Sequence, residues 1–548
     1  MLDLKEYIVT ATTMDDATSL LDDMETPGGD VYIPHRQVTV SQRREISRNT
    51  HFLITDQEAD QLRNDLRVIA VEQLPSLQGI VPVSHWTQSG NFEKSSSIDT
   101  NDKNWGLYRV TAGSNLATWG TNGSFTQTTQ TINTTSSGKN VDVIVVDAHI
   151  NPAHPEFALN PDGTGGSRVN QYNWFQHSAY LGYSTSGPYT YSTISSNHGT
   201  HVAGTMAGNA QGWARDANIY NMEFGYAGGN GPVGDWSVYI FDYIRAFHAL
   251  KPINPATGKR NPTVTNHSWG YSYASINLSE VTSVTYRGVT IAVTGNDAAK
   301  KTILQANGVP VPNNTFLFNP PARSAGVDAD IQDAIADGIL VISSAGNSYW
   351  NCATPDIEDW NNTLTAGFTW NHMRGSSPGA ATGVICVGSI GTTTQEYKSQ
   401  FSNYGKRVDM WGPGSNIVSG VYDSTAASEF SITLVNDPRN SAYKLGAISG
   451  TSMSGPQVAG CLACLVEQQT LTQTEALSYL VSSCKNLQIS STGGNAGDYT
   501  SLGIESNNRY LFYKLERLLS GNVSSNTTYK LRGVSGAVYP RARIRNRG

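Results

Sequence analysis

Apolar, β-branched runs separated by helical stretches set the rhythm of the middle of the chain. Val141-Asp142-Val143-Ile144-Val145-Val146-Asp147 is one such run, and Leu340-Val341-Ile342-Ser343-Ser344-Ala345-Gly346-Asn347 is another. Near-continuous apolar runs mark strands buried on both faces of a parallel sheet, and Asp147 would stand at the carboxyl edge of one. A helix predicted from about Val327 to Asp337 feeds the strand at Ile339. After Ser452 the residues Val458, Ala459, Cys461, Leu462, Cys464, Leu465 and Val466 give an apolar stretch that predicts a buried helix. Thr472-Gln473-Thr474-Glu475 forms a capping box, which starts a further helix running to about Cys484. Strands alternating with helices imply an α/β domain on a parallel sheet.

The first 80 residues follow a different pattern. Glu6–Thr10, His51–Ile54 and Val68–Val71 read as strands, and Asp15–Met24 and Asp56–Asn64 as short helices. That is a small α+β unit. Residues 81–103 hold Pro82, Ser84, Ser89, Gly90 and Ser95-Ser96-Ser97 and read as a linker. A main domain is expected over 104–520, with a polar insertion at about 271–325 carrying Pro310, Pro312, Asn313-Asn314, Pro320 and Pro321. The insertion reads either as a wall of the substrate cleft or as a plain surface loop. Residues 521–548 form a Ser/Asn/Thr-rich, then basic, tail.

Composition narrows the classes. At 548 residues two or more units are expected. No stretch reaches the roughly 18 apolar residues of a membrane span. The start, Met1-Leu2-Asp3-Leu4-Lys5-Glu6-Tyr7, lacks the basic and apolar regions of a secretory signal, so an intracellular or particle-associated protein is expected, with an extracellular one as the alternative. The net charge of −7 resides in the first 80 residues, which hold 14 acidic and 7 basic side chains. No broad basic surface for nucleic acid is left. The exception is the tail, with Lys530, Arg532, Arg541, Arg543, Arg545 and Arg547, which reads as a docking or anion-binding segment or as a solvated terminus. Five cysteines, an odd count, do not make a disulfide framework. Cys461 and Cys464 read as core thiols on one helix, and a pairing of Cys352 stays open.

The chemistry lies in three boxes. Ser449-Gly450-Thr451-Ser452-Met453-Ser454-Gly455-Pro456 puts a serine at a helix start, where free N–H groups and the helix dipole favour a developing oxyanion. The plainer reading of that box alone is a cap on a buried helix. Upstream come Ser196-Asn197-His198-Gly199-Thr200-His201-Val202-Ala203-Gly204-Thr205 and Asp147, so the order is Asp147, His198, Ser452. That order, with His-Gly-Thr-His-Val-Ala-Gly-Thr at 198–205 and Gly-Thr-Ser-Met at 450–453, resembles the subtilases. Further stretches share the likeness: Asn104–Val110 at the start of the mature domain, Thr265–Gly270 at the substrate strand, and Phe401–Gly405 with Trp411–Gly414 before the serine. The resemblance covers about 104–490. Asp56–Glu72 is similar to the end of a subtilase propeptide, which extends it upstream.

The resemblance implies a subtilisin-like serine endopeptidase acting on polypeptide through an acyl-enzyme. Asp147, His198 and Ser452 would form the triad, Asn347 would complete the oxyanion hole, and Ser268, Trp269 and Gly270 would bind substrate. Residues 1–80 would serve as propeptide, folding aid and intramolecular inhibitor. No metal or cofactor is needed for the chemistry: His198 and His201 form H-x-x-H, but no third ligand clusters with them. Structural calcium is common in the family, yet no acidic loop points to it. Three departures stand out. Asp147-Ala148-His149 replaces the family's Asp-Thr/Ser-Gly and loses a hydroxyl beside the carboxylate. Ser454-Gly455 replaces Ala-Ser, and Gln457 replaces a histidine. The competing reading is a catalytically silent structural or binding protein on the same scaffold, such as a component of a virus particle.

Overall fold

In this computed structural model the described residues are 3–33, 38–43, 47–73, 86–114, 130–134, 136–192, 196–232, 235–312, 315–393, 396–486, 489–490, 499–500, 502 and 505–513. The chain divides into two compact units, Met1–Val83 and Ser84–Leu519.

The first unit is a four-stranded antiparallel sheet in the order Thr39–Arg43, Asn49–Ile54, Lys5–Ala11, Val68–Gln73. Two helices, Met14–Glu25 and Asp56–Arg63, complete a βαββαβ chain. Tyr7, Val9 and Ala11 alternate inward on the central strand and meet Leu20, Met24, Ala59 and Leu62 from the helices. Thr55 and Glu58 form a capping box on the second helix. The strand Thr39–Arg43 has no counterpart in the sequence reading, because its polar residues give no period-2 signal.

The second unit is built on a central sheet. Its parallel strands run in the order Arg509–Tyr510, Met410–Pro413, Ile385–Ile390, Leu340–Ser344, Thr263–His267, Asp142–Asp147, Asn218–Glu223 and Val169–Asn170. From Asp142–Asp147 the chain first builds outward on one side. It then returns to place Thr263–His267 on the other. The crevice outside such a reversal is where open α/β sheets bind ligands. The buried helix Thr451–Val466 packs below the sheet, with the helix His198–Ala207 beside it, in one core that includes Val143, Val145, Met206, Ile342, Val458 and Leu462.

Two expectations change. Residues 81–103 are not a linker throughout. Trp86–Glu93 pairs with Asp102–Asn104 and with Gln130–Thr134, and the compact unit begins at Ser84. Lys94 is buried with its ammonium 4.6 Å from the Trp105 ring centre. Asn416 Nδ2 donates to Lys94 O at 2.9 Å. Serines and glycines suggested a spacer, but backbone pairing is blind to small side chains. Residues 74–85 lie outside the described residues, as does the whole tail 521–548.

The insertion is no bare polar loop either. Its ends close on each other, Ala322 N donating to Tyr271 O at 3.2 Å and Tyr273 N to Pro320 O at 2.8 Å. Between them, Ser283–Tyr286 and Val289–Ala292 join Thr363–Ala366 and Phe368–Trp370 in a small antiparallel sheet. Ile276, Leu278, Val284, Leu304 and Leu317 form its core with Trp350, Leu364 and Trp370. Trp350 stands three residues after Asn347, so this core reaches the loop that carries that side chain. Asn313 and Asn314 lie outside the described residues.

Candidate active site

Asp147 ends its strand buried at the carboxyl edge of the sheet. Its Oδ1 accepts from His198 Nδ1 at 2.7 Å and from the Ala148 N–H at 2.8 Å. Gly199 allows this approach. A Cβ there would lie 2.2 Å from Ala148 O, so any side chain would push the histidine helix off the strand. Burial lowers the pKa of His198, but the Asp147 charge and hydrogen bond outweigh it, with Glu429 adding to them, and the net shift is upward. The other carboxylate oxygen, Asp147 Oδ2, is buried without a protein partner among the described residues. His149 turns elsewhere: its Nδ1 meets Ser192 O, its Nε2 lies 3.0 Å from Gln171 Nε2, and Tyr191 and Tyr422 flank the ring.

Ser452 is the second residue of its helix and is buried. Its Oγ donates to Ser268 O at 3.2 Å, and Ser268 Oγ donates back to Ser452 O at 3.0 Å. The return bond has a cause in the sequence. Pro456, four residues on, has no N–H, so the helix cannot satisfy Ser452 O and Ser268 does so instead. Asn266 Nδ2 donates to Ser268 Oγ at 2.9 Å and completes the brace. No hydrogen bond joins Ser452 to His198, and His198 Nε2 has no partner among the described residues. Ser268 follows the strand Thr263–His267, whose His267 lies opposite Val146, so Ser452 is held beside the strand that ends in Asp147.

Asn347 lies exposed just after the strand Leu340–Ser344, beyond Gly346 at φ 100°. Its Oδ1 accepts from Thr451 N at 2.8 Å and Thr451 Oγ1 at 2.7 Å. With the oxygen engaged, the amide Nδ2 is left as a donor near the serine turn; a Cβ on Gly450 would lie 3.4 Å from it. Asn403 fastens this loop, donating to Ala345 O at 2.8 Å and accepting from the N–H groups of Ser348 and Trp350. Lys398 in turn holds the Asn403 loop, its ammonium donating to the carbonyls of Ser399, Gln400 and Ser402. The sequence singled out the Phe401–Gly405 stretch but gave Asn403 no task. An amide before an aromatic–glycine pair was the available signal.

At the substrate strand Ser268 is buried, Trp269 half-buried and Gly270 exposed. The Trp269 ring stacks on Phe224, centroids 5.5 Å apart and planes 8° from parallel. The N–H groups of Trp269 and Gly270 have no protein acceptor among the described residues.

The remaining candidates are structural. His201 Nε2 faces the carbonyls of Ile417 and Gly446, and burial pushes its pKa down to about 3. Gln457 bridges Trp213 Nε1 at 2.8 Å and Asn104 Oδ1 at 3.0 Å, tying the serine helix to the segment entering at Asn104. Ser454 is buried and donates to Gly412 O. All five cysteines are free and buried, and burial raises their thiol pKa values. Among the described residues no group of three or more His, Cys, Asp or Glu side chains could hold a metal ion.

The sequence profile of the subtilase family matches residues 138–503, which include Asp147, His198, Ser268, Asn347 and Ser452. The chain belongs to the subtilase family. An alkaline serine exoprotease A of Vibrio alginolyticus is 24% identical over 359 residues, 65% of this chain and 44% of that protein. An extracellular serine proteinase of Thermus sp. strain Rt41A is 24% identical over 430 residues, 78% of this chain and 68% of its own length. The chain thus spans from under half to about two thirds of these relatives. A solved cold-adapted subtilisin-like serine proteinase is 21% identical and superposes with a TM-score of 0.44, covering 77% of this chain and 99% of the other.

Proposed function

We propose that this subtilase is a serine endopeptidase with Asp147, His198 and Ser452 as its triad. The observation that carries the reading is the 2.7 Å bond from His198 Nδ1 to Asp147, which leaves Nε2 open at the sheet's reversal point. Ser452 is braced on Ser268, which follows the strand paired with the one that ends in Asp147. Asp147 fixes the imidazole tautomer and stabilises the imidazolium that forms. For attack, the Ser452 hydroxyl turns from Ser268 O to His198 Nε2, which takes its proton as Oγ bonds to the scissile carbonyl carbon. The tetrahedral oxygen receives Asn347 Nδ2 and the Ser452 N–H, one of the donors a helix start leaves unpaired. His198 then protonates the leaving amine, and water repeats the sequence on the acyl-enzyme.

Substrate is extended polypeptide laid along Ser268-Trp269-Gly270, whose open N–H groups offer strand-type pairing. Residues 1–83 act as the propeptide and inhibitor of the unit that follows. A cut at or before Trp86 would leave whole the three-stranded sheet of Trp86–Glu93, Asp102–Asn104 and Gln130–Thr134, whereas a cut between Glu93 and Asp102 would remove its middle strand.

Two observations favour the silent-scaffold reading: Ser452 rests on Ser268 O rather than on His198, and Asp147 Oδ2 has no partner. Labelling with a serine-directed fluorophosphonate separates the two. The parent protein is expected to label and to hydrolyse peptide, and Ser452→Ala to lose both, at a cost to kcat on the order of 10⁶, the figure known from subtilisin itself. Hydrolysis that survives Ser452→Ala refutes the triad.

A further inference from the structure

The segment between Val421 and Asn440 adds a short helix, Ala426–Glu429, whose last residue reaches back to the histidine box. Glu429 Oε2 accepts from the Asn197 N–H at 3.0 Å and from Asn197 Nδ2 at 2.7 Å, while Oε1 accepts from Ser196 Oγ. The same Ser196 oxygen accepts from the His198 N–H at 3.1 Å. One carboxylate therefore grips both residues before the imidazole and, through Ser196, the first N–H of its helix. That helix has no side-chain cap of its own at Asn197, so its unpaired N–H groups and positive end meet the Glu429 charge.

We propose that Glu429 is a positioning residue for His198, an outer carboxylate that fixes the turn carrying the imidazole and adds its charge to that of Asp147. The proposal rests on His198 being the base. Asp147 meets the ring directly at Nδ1, from the strand beneath. Glu429 acts from the opposite element, across the Ser196–Asn197 turn. His201, one turn along the same helix, is kept neutral by its burial, with the His198 charge lowering its pKa further. Asp423 faces Asn197 rather than the imidazole, its N–H donating to Asn197 Oδ1 at 2.8 Å. Burial raises the Glu429 pKa, but the bonds from Ser196 and Asn197 and the His198 charge outweigh it, so the group stays ionised where the enzyme would work.

The sequence hid this residue because Glu429 is 231 positions from His198 and stands in no family box. A plain latch for the Asp423–Glu429 segment would show most of the same bonds, so the test must read charge at the imidazole. Glu429→Gln keeps an acceptor for Asn197 and removes the charge. NMR titration of His198 in Ser452→Ala protein, with and without Glu429→Gln, reads the imidazole without any turnover. The midpoint is expected to fall in Glu429→Gln and to recover in part in Glu429→Asp. In active protein the acid limb of kcat/KM is expected to move the same way. Because Glu429 is exposed, raising salt should shrink the difference. An unmoved midpoint with only a lower melting temperature would overturn the proposal and leave a latch. Should Glu429→Gln fail to fold, the salt dependence of the midpoint with Glu429 in place decides, and a salt-independent midpoint counts against it. Since the titration needs no activity, its outcome is separate from that of the triad.

Discussion

Replacing Ser268 by alanine tests the brace that holds the nucleophile. The hydroxyl sits between two buried groups, accepting from Asn266 Nδ2 at 2.9 Å and donating to Ser452 O at 3.0 Å. Ser268→Ala leaves both without that partner. A buried polar group stripped of its hydrogen bond costs about 1–3 kcal/mol, so the two together should cost roughly 2–6 kcal/mol. Each kcal/mol moves Tm by about 2–4 °C or less in a unit this large, which makes a fall of roughly 3–15 °C. The helix cannot repair the loss, because Pro456 lacks the N–H that would otherwise reach Ser452 O. This gives a sharper test. In a Pro456→Ala background the restored N–H can take over Ser452 O, and the cost of Ser268→Ala should drop by about 1–2 kcal/mol, a coupling a double-mutant cycle resolves. Urea unfolding of all four proteins in a Ser452→Ala background, which prevents self-digestion, supplies the energies. Ser454→Ala, which loses only one neutral bond to Gly412 O, should cost about 0.5–1.5 kcal/mol. Equal costs for Ser268→Ala with and without Pro456 would refute the reasoning.

Other outcomes follow from the same site. Asn347→Leu is expected to lower kcat by about 10²–10³ with little change in KM, as loss of one oxyanion donor does in subtilisin; a loss wholly in KM would place Asn347 in the substrate cleft instead. Because His198 must be neutral to accept a proton and its pKa is raised, kcat/KM should climb with pH through a midpoint above that of an ordinary imidazole; a midpoint at or below it would contradict the Asp147 pairing. A fragment of residues 1–83 added in trans should inhibit protein beginning near Ser84, and full activity with the fragment bound or still attached would remove its inhibitory role.

The sequence alone determined the strands Asp142–Asp147 and Leu340–Ser344, the buried helix behind Ser452, and the helix over Gln473–Ser483 with its capping box. These are local facts: an unbroken β-branched run, an apolar face and a cap each act within a few residues. The order of Asp147, His198 and Ser452 was legible for the same reason, since each sits in a box whose neighbours shape a turn. What joins distant boxes was not legible. Residues 86–103 looked like a spacer because pairing with Gln130–Thr134 is made by backbone, which composition does not report. The polar insertion gained a core only because Trp350, Leu364 and Trp370 arrive from beyond the Asn347 loop. Ser268 answering the carbonyl that Pro456 frees, Asn403 pinning the loop of Asn347, and Glu429 gripping the turn before His198 are contacts across 184, 53 and 232 positions. Hydrogen bonds of this kind are set by where the sheet's carboxyl edges bring the chain, and that is decided by tertiary packing.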